Sequence, residues 1–262
     1  EPATMPIRTT RRSPGEPTWM DLGTYDLAKA TEFFRKVFGW TYEDTGAEFG
    51  HYHLAMKDGH NAVGIAAMDP SGQLPSAWTI YFASDDVAAD AQRVTDLGGQ
   101  VVMEPMTVGD LGRMAICIDP TGAGFGLWQA INHIGAGIDA EPGSMTWCEV
   151  NTWDAAAACD FYGELLQFSP QKMEDMDYYM LMQGDKAYCG VLQMDENWEG
   201  IPPHWMGYFA VENADASLKR VEEAGGQIRV PAFDSAYGRI AVVADPGGAH
   251  FSIVQMNQDQ TT

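Results

Sequence analysis

Two carboxylates stand beside tryptophans at matched places in the chain, in Trp19-Met20-Asp21 and in Trp147-Cys148-Glu149. If both stretches are strands, alternation puts each carboxylate on the same face as its tryptophan. A carboxyl group held against an aromatic wall has its charged form disfavoured, so its pKa rises and it can act as a general acid or base. Asp21 and Glu149 are the candidate acid–base pair on this reading. Tyr81 and Tyr208 fall on the same faces of later strands, and with Trp19 and Trp147 they offer flat walls to a planar ligand. His51 and His53 alternate onto one face of a short strand and are further ligand-facing candidates.

A metal reading competes with this one. His204 and His250 share the cleft face with Glu149, and together they make a two-histidine, one-carboxylate set in the second half only. The first-half counterparts, Asp21, Ala77 and Gly124, cannot match it. Spacing alone favours three unrelated rim residues. Cys148 faces away from Trp147 and has no base beside it, so a nucleophilic role has no support. No nucleophile elbow, P-loop or dinucleotide fingerprint is present.

The elements that would carry these residues are written twice. Gly112 to Gln129 recurs as Gly238 to Gln255, 126 residues later, and each copy is an apolar run, an Asp-Pro-x-Gly turn and a second strand-like run. Proline fixes φ and glycine permits the turn, so each reads as a hairpin. Thr18 to Asp26 recurs as Thr146 to Asp154. Asp26 and Asp154 are positioned to cap helices whose apolar faces carry Phe33, Phe34 and Phe38 in one copy and Phe161, Tyr162 and Leu165 in the other. Gly98-Gly99 and Gly225-Gly226 end two further helices. Each half reads as strand, helix and strands, followed by the same again.

This pattern predicts residues 1–16 as a flexible N-terminal arm, 17–130 as a first domain, 131–143 as a linker and 144–257 as a second domain. The net charge of −22, from 15 basic and 37 acidic residues, opposes binding to nucleic acid or anionic membrane. Four cysteines without a C-x-x-C pair suit reduced, buried thiols in a cytoplasmic protein, and no apolar run is long enough for a membrane span. The partner expected is a small molecule, bound by a monomer or homodimer.

The ordered set Asp26-Leu27-x-x-Ala30-x-x-Phe33-Phe34, Asp85-Asp86-Val87, Gly98-Gly99, Gly112-Arg113 and Asp119-Pro120-x-Gly122 resembles the vicinal oxygen chelate superfamily. These are the glyoxalase, bleomycin-resistance and extradiol-dioxygenase-like proteins. More narrowly, Trp19-x-Asp21-Leu22-x-Thr24 and Gly124-Phe125-Gly126-Leu127-Trp128-Gln129 look like two-domain glyoxalase-like actinobacterial proteins, some of whose relatives occur in aromatic polyketide antibiotic pathways. The resemblance implies an α+β fold of tandem βαβββ modules, with two curved mixed sheets.

It also implies slots for a divalent ion (Fe, Mn, Ni or Zn), which polarises a substrate's adjacent oxygens. Those slots fall on Trp19, Trp147, Thr79, Met206, Gly126 and Ser252, and none is a good ligand for such an ion. The expectation is therefore a degenerate metal site with no cofactor. The function expected is binding of a small apolar or aromatic molecule, for sequestration, resistance or an ancillary biosynthetic step. The alternatives are a metal-dependent lyase, isomerase or dioxygenase using Glu149, His204 and His250, and a non-catalytic interaction scaffold.

Overall fold

The computed structural model describes residues 7–257. The first half runs β1 (Pro17–Thr24), α1 (Leu27–Phe38), β2 (Thr41–Asp44), β3 (His53–Lys57), β4 (His60–Ala67), β5 (Ala77–Ala83), α2 (Val87–Asp96), β6 (Gln100–Val108), β7 (Gly112–Ile118) and β8 (Gly124–Ala130). The second half repeats this as β9 (Met145–Thr152), α3 (Ala155–Leu166), β10 (Ser169–Lys172), β11 (Tyr178–Gln183), β12 (Lys186–Gln193), β13 (His204–Ala210), α4 (Ala214–Glu223), β14 (Gln227–Ser235), β15 (Gly238–Ala244) and β16 (His250–Met256). Each half forms one eight-stranded sheet, ordered β2-β3-β4-β1-β5-β8-β7-β6 and β10-β11-β12-β9-β13-β16-β15-β14. Two βαβββ modules meet at the antiparallel β1–β5 and β9–β13 pairs, while β1–β4 and β5–β8 run parallel. The α+β fold of two tandem-module domains is as the sequence predicts.

The helices begin where expected. Asp26 accepts from the Lys29 N–H and Asp154 from the Ala157 N–H, satisfying donors that a helix start leaves unpaired. Gly39 ends α1 with φ of 72°, a conformation that costs glycine little.

Even-numbered residues of β1 (Met20, Leu22) and β9 (Cys148, Val150) face one core shared by both halves. The sheets meet back to back across it. Phe82 packs edge-on to Trp205 with ring centroids 5.0 Å apart, and Trp78 lies 5.5 Å from Phe209. A buried polar chain crosses the same boundary: Trp205 Nε1 donates to the Tyr162 hydroxyl (2.9 Å), which donates to Asp119 Oδ2 (2.6 Å) in the first domain's hairpin turn. The odd-numbered residues Trp19, Asp21, Trp147 and Glu149 are left to the two concave faces.

The segments flanking the domains make contacts with each other and with the domains. Arg12, almost fully buried, donates to the Ala136 carbonyl (2.9 Å) and pairs with Asp139 (3.0 Å), so the arm is clasped to the linker. The Gln183 amide donates to the Pro14 carbonyl, and Trp40 Nε1 donates to the Gly143 carbonyl (2.7 Å). The first six residues of the arm lie outside the described residues.

Candidate functional site on the concave faces

Each concave face carries the same hydrogen-bonded chain. In the first domain Trp19 Nε1 donates to the Tyr52 hydroxyl (2.8 Å), and Tyr52 and Tyr81 both donate to Asp21 Oδ2, at 3.2 and 3.1 Å. In the second, Trp147 Nε1 donates to the Tyr178 hydroxyl (2.8 Å), and Tyr178 and Tyr208 both bond to Glu149. A carboxylate that accepts two phenols and is walled by an indole is the repeated unit.

Backbone register explains why the phenols reach the carboxylates. Asp21 lies opposite Gly64 on β4, and Glu149 opposite Gly190 on β12. A Cβ at Gly64 would sit 1.7 Å from the Tyr52 hydroxyl, and one at Gly190 would sit 1.8 Å from that of Tyr178. Each ring lies over its glycine. Gly126 does the same for Tyr81, whose Cδ1 would be 2.2 Å from an added Cβ.

Burial dominates the electrostatics. It pushes the Asp21 carboxyl up to about 6, against the lowering effect of the two phenols, and it raises Glu149 in the same way. Desolvation and the facing carboxylate raise Tyr52 and Tyr81, so these phenols remain donors. The Asp21 carboxyl can therefore hold or release a proton near pH 6 beside its two phenol donors.

The aromatic walls of the two concavities differ in access, and the polar members differ the other way, since Asp21 and Tyr52 are half-buried where Glu149 and Tyr178 are buried. In the first, Trp19 is 4 % exposed and Tyr81 6 %, and both join Trp128 and the linker's Ala136 in a closed apolar cluster. His133, also from the linker, packs edge-on to Trp19 with ring centroids 4.5 Å apart and lies 5.7 Å from Trp128. Its Nε2 is buried without a partner, and burial together with Arg12 pushes its pKa down to about 4. A cavity of about 230 Å³ lies where this linker meets the β3–β4 turn, lined by Arg8, His60, Asn61 and His133 among others, and reaches neither carboxylate. In the second domain Trp147 and Tyr208 are only half-buried, and Val254 stands where the first has Trp128.

Of the sequence candidates, Trp19, Asp21 and Tyr81 come together on one face, and Trp147, Glu149 and Tyr208 on the other. His51 and His53 do not join them. His51 is exposed and bonds to Asp44 (2.9 Å), and His53 bonds to the His51 carbonyl (2.6 Å). The residue between them, Tyr52, faces the site. Tyr52 and Leu54 both pack on the Trp19–Tyr81 cluster, so alternation turns His53 to the opposite face. Tyr52 and Tyr178 escaped the sequence reading, although they recur 126 residues apart, as Gly64 and Gly190 do.

The metal slots do not suit a divalent ion. They carry indole, thioether, hydroxyl and glycine, and Tyr81 fills the space over Gly126. The alternative set is engaged elsewhere. Glu149 accepts from its tyrosines, His204 Nδ1 donates to the Pro202 carbonyl (2.8 Å), and His204 Nε2 takes a bond from the Asn151 amide (3.2 Å). His250 is exposed. Among the described residues no group of three or more His, Cys, Asp or Glu side chains is placed to hold a metal ion. No described helix is long and apolar enough to cross a membrane.

Comparison with known proteins agrees with the doubled fold. The family model of the glyoxalase/bleomycin resistance protein/dioxygenase superfamily matches residues 18–127 and again 131–253. CFP32 of Mycobacterium tuberculosis, whose name carries a provisional glyoxylase assignment, is 40% identical over 259 residues, covering 96% of this chain and 98% of CFP32. The anthracycline biosynthesis protein DnrV of Streptomyces peucetius is 36% identical over 270 residues, covering 95% and 96%. Among solved structures, the Mn(II)-bound glyoxalase of Novosphingobium aromaticivorans superposes with a TM-score of 0.63 at 16% identity, over 94% of this chain and 86% of that one. The 2,3-dioxygenase LapB of Pseudomonas sp. KL28 superposes equally well, with a TM-score of 0.63 at 15% identity, over 92% and 91%. At these identities the two structures speak for the fold alone.

Proposed function

Because the chain belongs to the glyoxalase/bleomycin resistance protein/dioxygenase superfamily, we propose that it keeps the family's concave faces for binding a small planar, largely apolar molecule and does so without a metal ion. The second domain is the working site. The observation that carries this reading is the half-buried pair Trp147 and Tyr208 beside Glu149, set against their closed counterparts Trp19 and Tyr81. An aromatic wall with one polar anchor is how small-molecule pockets combine affinity with orientation. Sequestration of an aromatic metabolite or an ancillary step in its biosynthesis would both use such a site, and the likeness to an anthracycline biosynthesis protein supports that setting.

Calorimetric titration of chelator-treated protein with naphthalene derivatives tests the proposal. Saturable binding that Trp147→Phe weakens and Trp19→Phe does not is the expected result. Absence of heat across the series would remove the proposal.

A second reading gives Glu149, which lies in that working cleft, an acid–base role toward the bound molecule, and the upward push that burial gives its carboxyl favours it. On that reading Glu149→Gln retains affinity but loses the pH dependence of binding. Unchanged pH dependence in the variant would exclude Glu149.

A further inference from the structure

The second concave face holds polar groups that the first lacks. Asn151, His204, His250 and Ser252 stand where the first domain has Gly23, Ala77, Gly124 and Gly126. Asn151 sits on β9 two residues beyond Glu149, on the same side of the strand and opposite His204 in register. It is 1 % exposed, and its Oδ1 has no hydrogen-bond partner. Turning the amide over does not remove the mismatch. His204 Nδ1 lies 2.8 Å from the Pro202 carbonyl and must donate to it, so in neutral imidazole Nε2 is the acceptor. That acceptor takes Asn151 Nδ2 and leaves Oδ1 over.

A buried acceptor without a donor is costly, and a ligand that brings the donor recovers that cost. Following strand geometry, Asn151 lies roughly 7 Å beyond Glu149 along the cleft floor. A flat molecule stacked on Trp147 and Tyr208 can therefore reach it with a group on its edge, displacing the half-buried His204 ring slightly. We infer that the second cleft selects aromatic molecules bearing a hydroxyl or N–H donor, with Asn151 Oδ1 as the acceptor that reads it. This deepens the proposed binding role and rests on it. It makes Asn151 a specificity-determining residue, since sites with an unpaired buried polar group discriminate strongly against analogues that lack the matching one.

A matched pair of probes tests this on the unaltered chain. 2-Naphthol carries a hydroxyl donor, and 2-methoxynaphthalene has the same rings without it. Calorimetry should show 2-naphthol binding about tenfold tighter. Asn151→Leu should bring the two affinities together, with an unaltered far-ultraviolet circular dichroism spectrum as the check on folding. Equal affinities in the unaltered protein would overturn the inference and leave aromatic binding standing, with no variant needed. A gap that survives in folded Asn151→Leu but closes in Glu149→Gln would assign the donor to Glu149 and also overturn it. If neither probe binds, the proposed function falls and this inference with it.

Discussion

Tyr162 on α3 and Phe34 on α1 occupy equivalent positions 128 residues apart and differ by one hydroxyl. In the second domain that hydroxyl receives Trp205 Nε1 and donates to Asp119 Oδ2. In the first, the matching atoms, Trp78 Nε1 and Asp245 Oδ2, are buried and both lack a partner. Phe34 holds the same edge-on arrangement to Trp78, with centroids 5.6 Å apart, as Tyr162 holds to Trp205 at 5.1 Å. One missing oxygen accounts for two unsatisfied groups.

Phe34→Tyr should therefore stabilise the protein by about 1–2 kcal/mol, by supplying an acceptor to the indole and a donor to the carboxylate together. Tyr162→Phe should cost a similar amount. Urea unfolding of both variants measures this, and a destabilised Phe34→Tyr would mean that the ring cannot accept the added atom.

Asp21 gives the fold a definite pH response. Its folded pKa of about 6 lies above its ordinary value of 3.8, so the folded state holds the proton more tightly than the unfolded chain does. The stabilisation is present in full below about pH 4 and is lost as pH rises through about 6. Asp21→Asn should remove that slope. Relative to the parent, the variant should gain stability between pH 4 and 6, by at most about 3 kcal/mol, and the difference should stay flat above. Paired denaturation curves across that range provide the check.

Gly190→Ala places a methyl group where the Tyr178 hydroxyl now lies. The phenol is the free end of a side chain, so the sheet should survive while the ring swings away and breaks the Trp147–Tyr178–Glu149 chain. A loss of about 1–2 kcal/mol in stability is expected, together with a shift in tryptophan emission and weaker aromatic binding. Unchanged emission would show that Tyr178 accommodates the methyl group in place.

Adding Mn²⁺, Ni²⁺ or Zn²⁺ to chelator-treated protein should give no stoichiometric, saturable binding that depends on Glu149 or His204. This follows from the donor set, since the ring nitrogens of His204 and the carboxylate of Glu149 already have protein partners. Tight binding abolished by Glu149→Ala would reverse that reading.

Most of the fold was legible because the chain states it twice: the capped helices, the Asp-Pro-x-Gly hairpins and the paired glycines all recur at spacings of 126 to 128 residues. Three of the four members of each site were legible for the same reason, Trp19, Asp21 and Tyr81 in one half and Trp147, Glu149 and Tyr208 in the other. Tyr52 was missed because alternation separates two faces without saying which one turns to the site, and the flanking histidines are the more ligand-like residues, whereas Tyr52 and Leu54 hold that face. The difference between the clefts was missed for another reason. Whether Trp19 is closed off depends on where the linker lies, and a polar, glycine-containing linker reads locally as surface. His133 shows this well: an ordinary loop residue by sequence, it is wedged against two tryptophans in the structure.

That wedge has a consequence for stoichiometry. Ala136 and His133 are joined to the first cleft by the chain itself, so they compete for it at an effective concentration of roughly millimolar and never diffuse away. Under the proposed function, the first domain would act as a receptor already filled by its own peptide and its twin would take the outside molecule. A protein built from two copies of one cleft should accordingly bind one equivalent of ligand, and lengthening the linker ahead of Gly135 should convert it to two.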